Sequence, residues 1–194
     1  MSTERRDTPH ERHRHRVPHP GRLRVRPGRL PGHAGRRLGL PARPEAVAGD
    51  KFRLGATLDE GVLLLGRTTW ELFSRIWPGR DDPFAARMNA VPKQVVSRTL
   101  TDTSAWARSG VVGGDPVEAV RREERDVIVT GSLGVVRALM AADLVDEYRL
   151  LTFPTVLGAG RRLFPDDGPR ADLECVSAER AGAAVLGRYR RTAA

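Results

Sequence analysis

Two short segments of the sequence bring together residue types that suit the binding of a phosphate group. In each, an apolar run typical of a buried strand ends in glycine, and hydroxyl side chains follow where a helix begins. Glycine lets a backbone approach a ligand closely, and the first N–H groups of a helix lack partners within it and attract anions. The residues are Gly66, Arg67, Thr68 and Thr69 in VLLLGRTTWE, and Gly131, Ser132, Leu133 and Gly134 in VIVTGSLG.

Together the two junctions indicate a site for a dinucleotide, to which Arg67 adds a planar cation. Each junction alone is a weak signal, because glycine also ends strands and Ser or Thr also caps helices for purely structural reasons. A Rossmann fingerprint is absent, since GAGRRL at 158–163 has only its first two glycines. Ser97 and Arg98 follow a third strand-like run, QVV. Arg98 could pair with a ribose phosphate, and the alternative is a solvated arginine in a turn.

Few residues are available for acid–base or nucleophilic catalysis. All five histidines lie within residues 1–48, so the rest of the chain offers no Ser-His or Cys-His pair. Asp143, Asp146 and Glu147 cluster at a helix-to-strand connection, where carboxylates are typically solvated. No metal site and no catalytic residue are predicted. The pattern indicates that a bound cofactor supplies the reactive chemistry.

These candidate residues depend on an alternation of short strands and helices to position them, and residues 45–194 have that pattern. Strands are predicted at 62–65, 94–97, 111–112, 126–130, 147–153, 173–178 and 185–190. Helices are predicted at 45–58, 67–77, 84–89, 116–125 and 135–142. The sequence therefore predicts one α/β domain over residues 45–194.

The start of the chain differs from this domain in composition. Residues 1–48 hold 12 of the 33 basic residues and four of the 24 acidic ones, so they carry +8 of the net charge of +9. They also hold seven of the 14 prolines and no aromatic residue, which predicts disorder over residues 1–44. An arginine-rich arm that binds nucleic acid or anionic lipid is the alternative. Nucleic acid is disfavoured because no aromatic residues interleave with the arginines.

The compartment is indicated by what the sequence lacks. No apolar run approaches the ~20 residues needed to span a bilayer, and the N-terminus has no apolar core of a secretory signal. The single cysteine, Cys175, excludes an intramolecular disulfide. We therefore expect a cytoplasmic protein with no membrane partner.

The ordered set GRTTWE, PKQVVSRTL, VIVTGS and LVDEYRLLTFPTVLGAGRRLF resembles the dihydrofolate-reductase-like family, in particular the riboflavin biosynthesis reductase of the RibD C-terminal domain type. The resemblance covers about residues 49–190, and LVDE followed by P-x-V-L-G-x-G-x-x-L-F is its most specific part. It implies a three-layer α/β/α fold with a central, mostly parallel sheet that binds NADPH across its carboxyl edge. It also implies reduction of the ribosyl group of 5-amino-6-(5-phosphoribosylamino)uracil to a ribityl chain.

The resemblance also implies roles for particular residues. It places Gly66, Arg67, Thr68 and Thr69 near the cofactor phosphates, and Ser97 and Arg98 near the adenosine 2'-phosphate. Residues 131–134 match the turn that holds the pyrophosphate and the nicotinamide side. The substrate end of the site would be lined by Thr152, Pro154, Leu157 and Gly158.

Residues 1–48 do not match the family, whose members open with an apolar strand that runs into a Ser-Leu-Asp-Gly-like stretch. That strand should lie centrally in the sheet, so we expect the first strand to be missing or replaced. Residues 1–48 are either a genuine N-terminus or the out-of-frame reading of a GC-rich coding sequence.

Two functions follow from the resemblance. The first is an NADPH-dependent reductase of a pyrimidine or pteridine-like small molecule, which could form a homodimer. The second is a non-catalytic nucleotide-binding or interaction protein with a degenerate active site.

Overall fold

The computed structural model describes residues 48–156 and 158–192, so the segment 1–44 with its predicted disorder lies outside the described residues. None of the described helices is long and apolar enough to cross a membrane. In chain order the elements are α1 (Ala56–Glu60), β1 (Val62–Gly66), α2 (Arg67–Ser74), α3 (Pro83–Ala90), β2 (Lys93–Val96), β3 (Ser109–Val111), α4 (Pro116–Arg121), β4 (Val127–Val129), α5 (Leu133–Ala141), β5 (Glu147–Thr152), β6 (Leu173–Ala181) and β7 (Ala184–Arg191).

Strands β1 to β4 form a parallel sheet in the order β3-β2-β1-β4. Within it, Leu64 of β1 lies opposite Gln94 of β2 on one side and Val129 of β4 on the other. The first four residues of β1 are buried, which confirms the strand predicted from its continuous apolar run. Because all four strands run in one direction, their carboxyl ends lie at one edge of the sheet.

Helices cover both faces of this parallel sheet. Successive side chains of a strand point to opposite faces, so Leu63 and Leu65 pack on one side of β1 and Leu64 on the other. The first face is covered mainly by aromatic and other large side chains from α2 and α3, and the second by smaller aliphatic ones from α4 and α5. The three layers expected from the resemblance are therefore confirmed.

Strands β5 to β7 form a separate antiparallel sheet in the order β5-β7-β6. Tyr148 lies opposite Tyr189, and a register shift between Cys175 and Ser177 interrupts the pairing of β6 with β7. In the described ranges the strands therefore form two separate sheets. β4 is an edge strand of the first sheet and β5 is an edge strand of the second. Residues 48–61 contain no strand, and the segment where the family's first strand was expected, residues 1–48, lies almost entirely outside the described residues.

The helix predicted at 45–58 is wrong over residues 48–55 and is confirmed only at 56–58, the start of α1. Residues 48–55 form bends and turns, and only the short helix α1 follows. Gly49, Arg53 and Gly55 all have φ near +55°, which is incompatible with a right-handed helix. Asp50 replaces the helical hydrogen bonds with side-chain ones, because its carboxylate accepts from the N–H groups of Leu54 and Gly55.

Candidate functional site

The two glycine-bearing junctions lie side by side at the carboxyl edge of the parallel sheet. β1 and β4 are neighbours, so the turn after β1 meets the turn after β4. The backbone N–H of Gly66 donates a hydrogen bond of 2.8 Å to Oγ of Ser132, which is buried. A Cβ atom at Gly66 would lie 3.5 Å from that oxygen, within ordinary contact. One hydrogen bond therefore joins residues that are 66 positions apart in the sequence.

A second contact joins the same two turns through Gly131 and Thr69. Gly131 has φ +73°, a conformation that favours glycine. A Cβ at Gly131 would lie only 3.1 Å from Cγ2 of Thr69, closer than an ordinary van der Waals contact. Both the conformation and the spacing explain why glycine occupies this position.

The helices that leave these turns begin without a side-chain cap. Gly66 precedes α2 and Ser132 precedes α5, and neither helix has an N-terminal side-chain hydrogen bond or an acidic residue in its first turn. The Ser132 hydroxyl accepts from Gly66, in the neighbouring turn. In contrast, Asp82 caps α3 and Asp115 caps α4. The first N–H groups of α2 and α5 thus keep their partial positive charge for an external anion.

Arg67 links this pair of turns to the loop after β2. Its guanidinium donates a hydrogen bond of 2.8 Å to Oγ1 of Thr99 and forms an ion pair of 2.9 Å with Glu71, one helical turn further along α2. Half of the Arg67 side chain remains exposed. Thr99 and Glu71 were not among the predicted site residues, and the SRT triplet was the only sequence signal for Thr99.

Ser97 and Arg98 lie in that loop and have different surroundings. Ser97 is buried, and its hydroxyl oxygen accepts from the N–H groups of Thr99 and Leu100, so it shapes the turn. Arg98 is exposed and forms no hydrogen bond or ion pair with residues 48–156 or 158–192. Its side chain runs across the backbone of Gly114, in the loop after β3.

The remaining residues of the α5 turn differ in their environment. Leu133 is buried in an apolar cluster that includes Leu150 of β5 and Leu163. Its side chain therefore stabilises the fold. Gly134 is exposed, and a Cβ there would meet no atom within 4 Å, so open space adjoins the start of α5.

The predicted substrate residues follow β5 in the second sheet. Thr152 ends β5, where it lies opposite Val185, while Pro154 and Gly158 are exposed in the loop beyond it. Leu157 lies outside the described residues. The chain after this loop returns to α5, because Leu163 packs on Leu133 and the guanidinium of Arg137 donates to the carbonyl of Arg162. The structure thus connects these residues to the α5 turn through packing, whereas the hydrogen-bond ladders of the two sheets stay separate.

Within the described ranges, no group of three or more His, Cys, Asp or Glu side chains could hold a metal ion. The open helix starts and the two arginines suit phosphate groups, and none of the residues gathered at the turns is a free acid or an activated nucleophile. The arrangement is therefore compatible with an anionic ligand. Chemistry beyond binding would need a group supplied by that ligand.

The fold and this edge of the sheet define an α/β protein with an anion-compatible site at the carboxyl ends of parallel strands. Residues 50–186 match the RibD C-terminal domain, and the chain belongs to that family.

Three known proteins are similar to this chain in structure or in sequence. A solved protein of Shewanella sp. PV-4, assigned to riboflavin biosynthesis, aligns with a TM-score of 0.62 and 19% identity over 79% of this chain and 86% of its own. A pyrimidine reductase-like protein of Corynebacterium diphtheriae aligns with a TM-score of 0.49 and 12% identity over 71% of this chain and 79% of its own. Protein YyaP of Bacillus subtilis (strain 168) is 27% identical over 125 residues, which span 60% of this chain and 65% of that relative.

Proposed function

We propose that this protein is an NADPH-dependent reductase of a small molecule with a pyrimidine or pteridine-like ring. The observation that carries the proposal is the pair of uncapped helix starts, at α2 and α5, joined by the hydrogen bond from Gly66 to Ser132. Two adjacent helix starts suit a ligand with two linked phosphates. The membership of a reductase-like family supports the same conclusion.

The residues fit such a cofactor because the junction is open where phosphates would bind. The N–H groups at the start of α2 and α5 would donate to the pyrophosphate, and Gly134 leaves open space beside the start of α5. Arg67 would add a cation near the cofactor phosphates, and Arg98 would pair with the 2'-phosphate, which NADH lacks. When bound, the nicotinamide supplies the hydride, so the chain itself needs to orient the two reactants.

The substrate would bind beyond the nicotinamide, beside the loop that follows β5. Thr152, Pro154, Leu157 and Gly158 remain the proposed lining of that end. The resemblance to the riboflavin biosynthesis reductase makes 5-amino-6-(5-phosphoribosylamino)uracil the first compound to test. Assembly as a homodimer and a cytoplasmic location are parts of the same proposal.

Calorimetry with NADPH tests the cofactor part of the proposal. Micromolar affinity corresponds to about 8 kcal/mol. Loss of a charge-assisted hydrogen bond in Arg67→Ala should weaken binding about 10-fold. Arg122→Ala is the matched control, because its side chain is 79% exposed and the residue directly follows α4, which leads to the opposite end of β4. Equal affinity in both variants, or no NADPH binding by the folded native protein, would contradict the proposal.

Turnover is a separate measurement. The native protein should oxidise NADPH in the presence of 5-amino-6-(5-phosphoribosylamino)uracil and yield the ribityl product, identified by mass spectrometry. Pteridine substrates form the second arm of the screen. Binding of NADPH without turnover of any of these compounds would remove the reductase assignment and leave the cofactor site.

A non-catalytic nucleotide-binding protein is the second candidate, and one observation favours it. In the described ranges, no strand joins β4, which leads to the cofactor turns, with β5, which leads to the substrate loop. A reaction between a bound cofactor and a bound substrate requires the cofactor turns and the substrate loop to be held at a fixed distance from each other. The turnover measurement separates this candidate from the reductase.

A further inference from the structure

The side chain of Arg98 lies directly on the backbone of Gly114. A Cβ atom at Gly114 would be 2.4 Å from Cγ of Arg98, 2.8 Å from Cδ and 3.5 Å from Nε. The first two distances are shorter than real Cβ contacts, so only glycine leaves room for the arginine in this position. Gly114 therefore makes room for the aliphatic part of the Arg98 side chain, and the guanidinium stays available to a ligand.

The two loops that carry these residues are held together by backbone hydrogen bonds. The N–H of Ser97 donates to the carbonyl of Gly113 at 2.9 Å, and the N–H of Val112 donates to the carbonyl of Val95 at 3.1 Å. These bonds extend the β2–β3 ladder up to the contact. An added methyl group at Gly114 would consequently displace the flexible arginine and not the backbone.

The guanidinium of Arg98 has no hydrogen-bond or ion-pair partner in the ranges that the structure describes. Asp115 follows Gly114 directly, yet its carboxylate caps α4 by accepting from the N–H of Val117 at 2.9 Å. Arg67, the other cation of this edge, is already bound to Thr99 and Glu71. Arg98 is thus the cation of the site with its full hydrogen-bonding capacity available for a phosphate.

We propose that Gly114 is a positioning residue that orients Arg98 toward the 2'-phosphate and thereby sets the preference of this protein for NADPH over NADH. This inference rests on the proposed function. Holding a long side chain in its bound direction before the ligand arrives reduces the entropy lost on binding. The effect should appear only with the ligand that carries the 2'-phosphate.

The test compares NADPH and NADH binding to the native protein, Gly114→Ala and Gly110→Ala. Gly114→Ala should weaken NADPH binding about 2- to 10-fold, as expected for one displaced side chain, and leave NADH binding unchanged. Gly110 is the matched control, because it lies on β3 with no atom within 4 Å of an added Cβ. Gly114 lacks the positive φ of Gly113, so alanine fits its backbone and the thermal midpoint should stay the same.

A double-mutant cycle with Arg98→Ala separates positioning from a general structural role. Once Arg98 is removed, adding Gly114→Ala should have no further effect on the ratio of the two dissociation constants. A native preference for NADPH that survives in Gly114→Ala would overturn the inference and leave the proposed function standing. Equal loss of both dinucleotides, or the same loss with and without Arg98, would also overturn it. Absence of dinucleotide binding by the native protein would overturn the inference and the proposed function together.

Discussion

Gly66 donates its backbone N–H to the hydroxyl of Ser132 at a distance of 2.8 Å. The bond joins the ends of two neighbouring strands, and it also occupies the side chain that would otherwise cap α5. Serine is among the preferred residues at this capping position, where its oxygen normally accepts from the second or third N–H of the helix. One hydroxyl therefore holds the two turns together and leaves the start of α5 open.

We expect Ser132→Ala to destabilise the protein. The change removes the acceptor of the Gly66 N–H in a part-buried position. A buried donor that is left without an acceptor costs about 1–3 kcal/mol. Urea denaturation measures the free energy of unfolding. Ser74→Ala is the control, because the Ser74 hydroxyl bonds only within its own helix, to the carbonyl of Glu71. Similar stabilities for the two variants would show that the bridge contributes little.

The two glycines of the second turn should respond in opposite ways to alanine. Gly131→Ala should destabilise the fold by about 1–2 kcal/mol, because an L-residue is strained at φ +73° and its Cβ would press on Thr69. Gly134→Ala should stabilise it by up to about 1 kcal/mol, since Gly134 lies in α5 with open space around it. Thermal unfolding measures both changes.

Binding gives a second readout for the same pair of variants. If α5 binds a phosphate through its first N–H groups, a methyl group at Gly134 should hinder the approach of NADPH while it stabilises the helix. Stability and affinity would then change in opposite directions in Gly134→Ala. An unchanged affinity would place the ligand away from the start of α5.

The strands and the layers were predictable because their signal is local. Strands β1, β2 and β4 of the parallel sheet have short apolar runs, and these runs alternate with amphipathic segments that cover the two faces. The helix predicted before β1 was wrong over residues 48–55 because several of these residues adopt a left-handed φ, which a right-handed helix does not allow. Left-handed φ at Arg53 is uncommon for a non-glycine residue, and residue propensities gave no sign of it.

The candidate site was predictable to the extent that parallel strands bring their carboxyl ends to one edge. That rule places the turns after β1, β2 and β4 together before any side chain is considered. The contacts of Arg67 with Thr99 and of Arg98 with Gly114 depend on side-chain directions across loops that are far apart in the sequence. No spacing rule describes such contacts, so sequence reasoning missed both partners.

Glu147 should contribute to stability through the arginines around it in the second sheet. Burial of its carboxyl works to raise the pKa, but hydrogen bonds from Arg188 and Arg149 outweigh burial and lower the pKa below 4.5. Because the pKa is lower in the folded protein, this contribution is present above pH 4.5 and is lost as the pH falls through the folded-state pKa.

We expect Glu147→Gln to lower the free energy of unfolding by about 1–3 kcal/mol at pH 7, because it leaves partly buried guanidinium groups without a counter-charge. The difference from the native protein should shrink as the pH falls through the folded-state pKa of Glu147. Urea denaturation at several pH values measures it. Glu174→Gln on β6, where the side chain is exposed, provides the control. A difference that is constant with pH would contradict the assigned cause.

Lys93 should make the stability of this protein rise with pH in the alkaline range. The residue is 2% exposed, and burial together with the charge of Arg108 lowers the pKa of its ammonium from 10.5 to about 8. Its Nζ donates to the carbonyls of Asn89 and Ala107 and lies 4.4 Å from the centre of the Trp106 ring, with no carboxylate among these partners.

Between pH 8 and 10.5 the unfolded chain keeps the proton that the folded protein has released. The free energy of unfolding should therefore increase with pH across this window, by up to about 3 kcal/mol, and Lys93→Met should abolish that part of the increase. Lys51→Met is the matched comparison, because Lys51 is the other lysine and burial also lowers its pKa. Denaturation from pH 7 to pH 10.5 measures each slope. A full alkaline increase that persists in Lys93→Met would show that the buried ammonium is not its source.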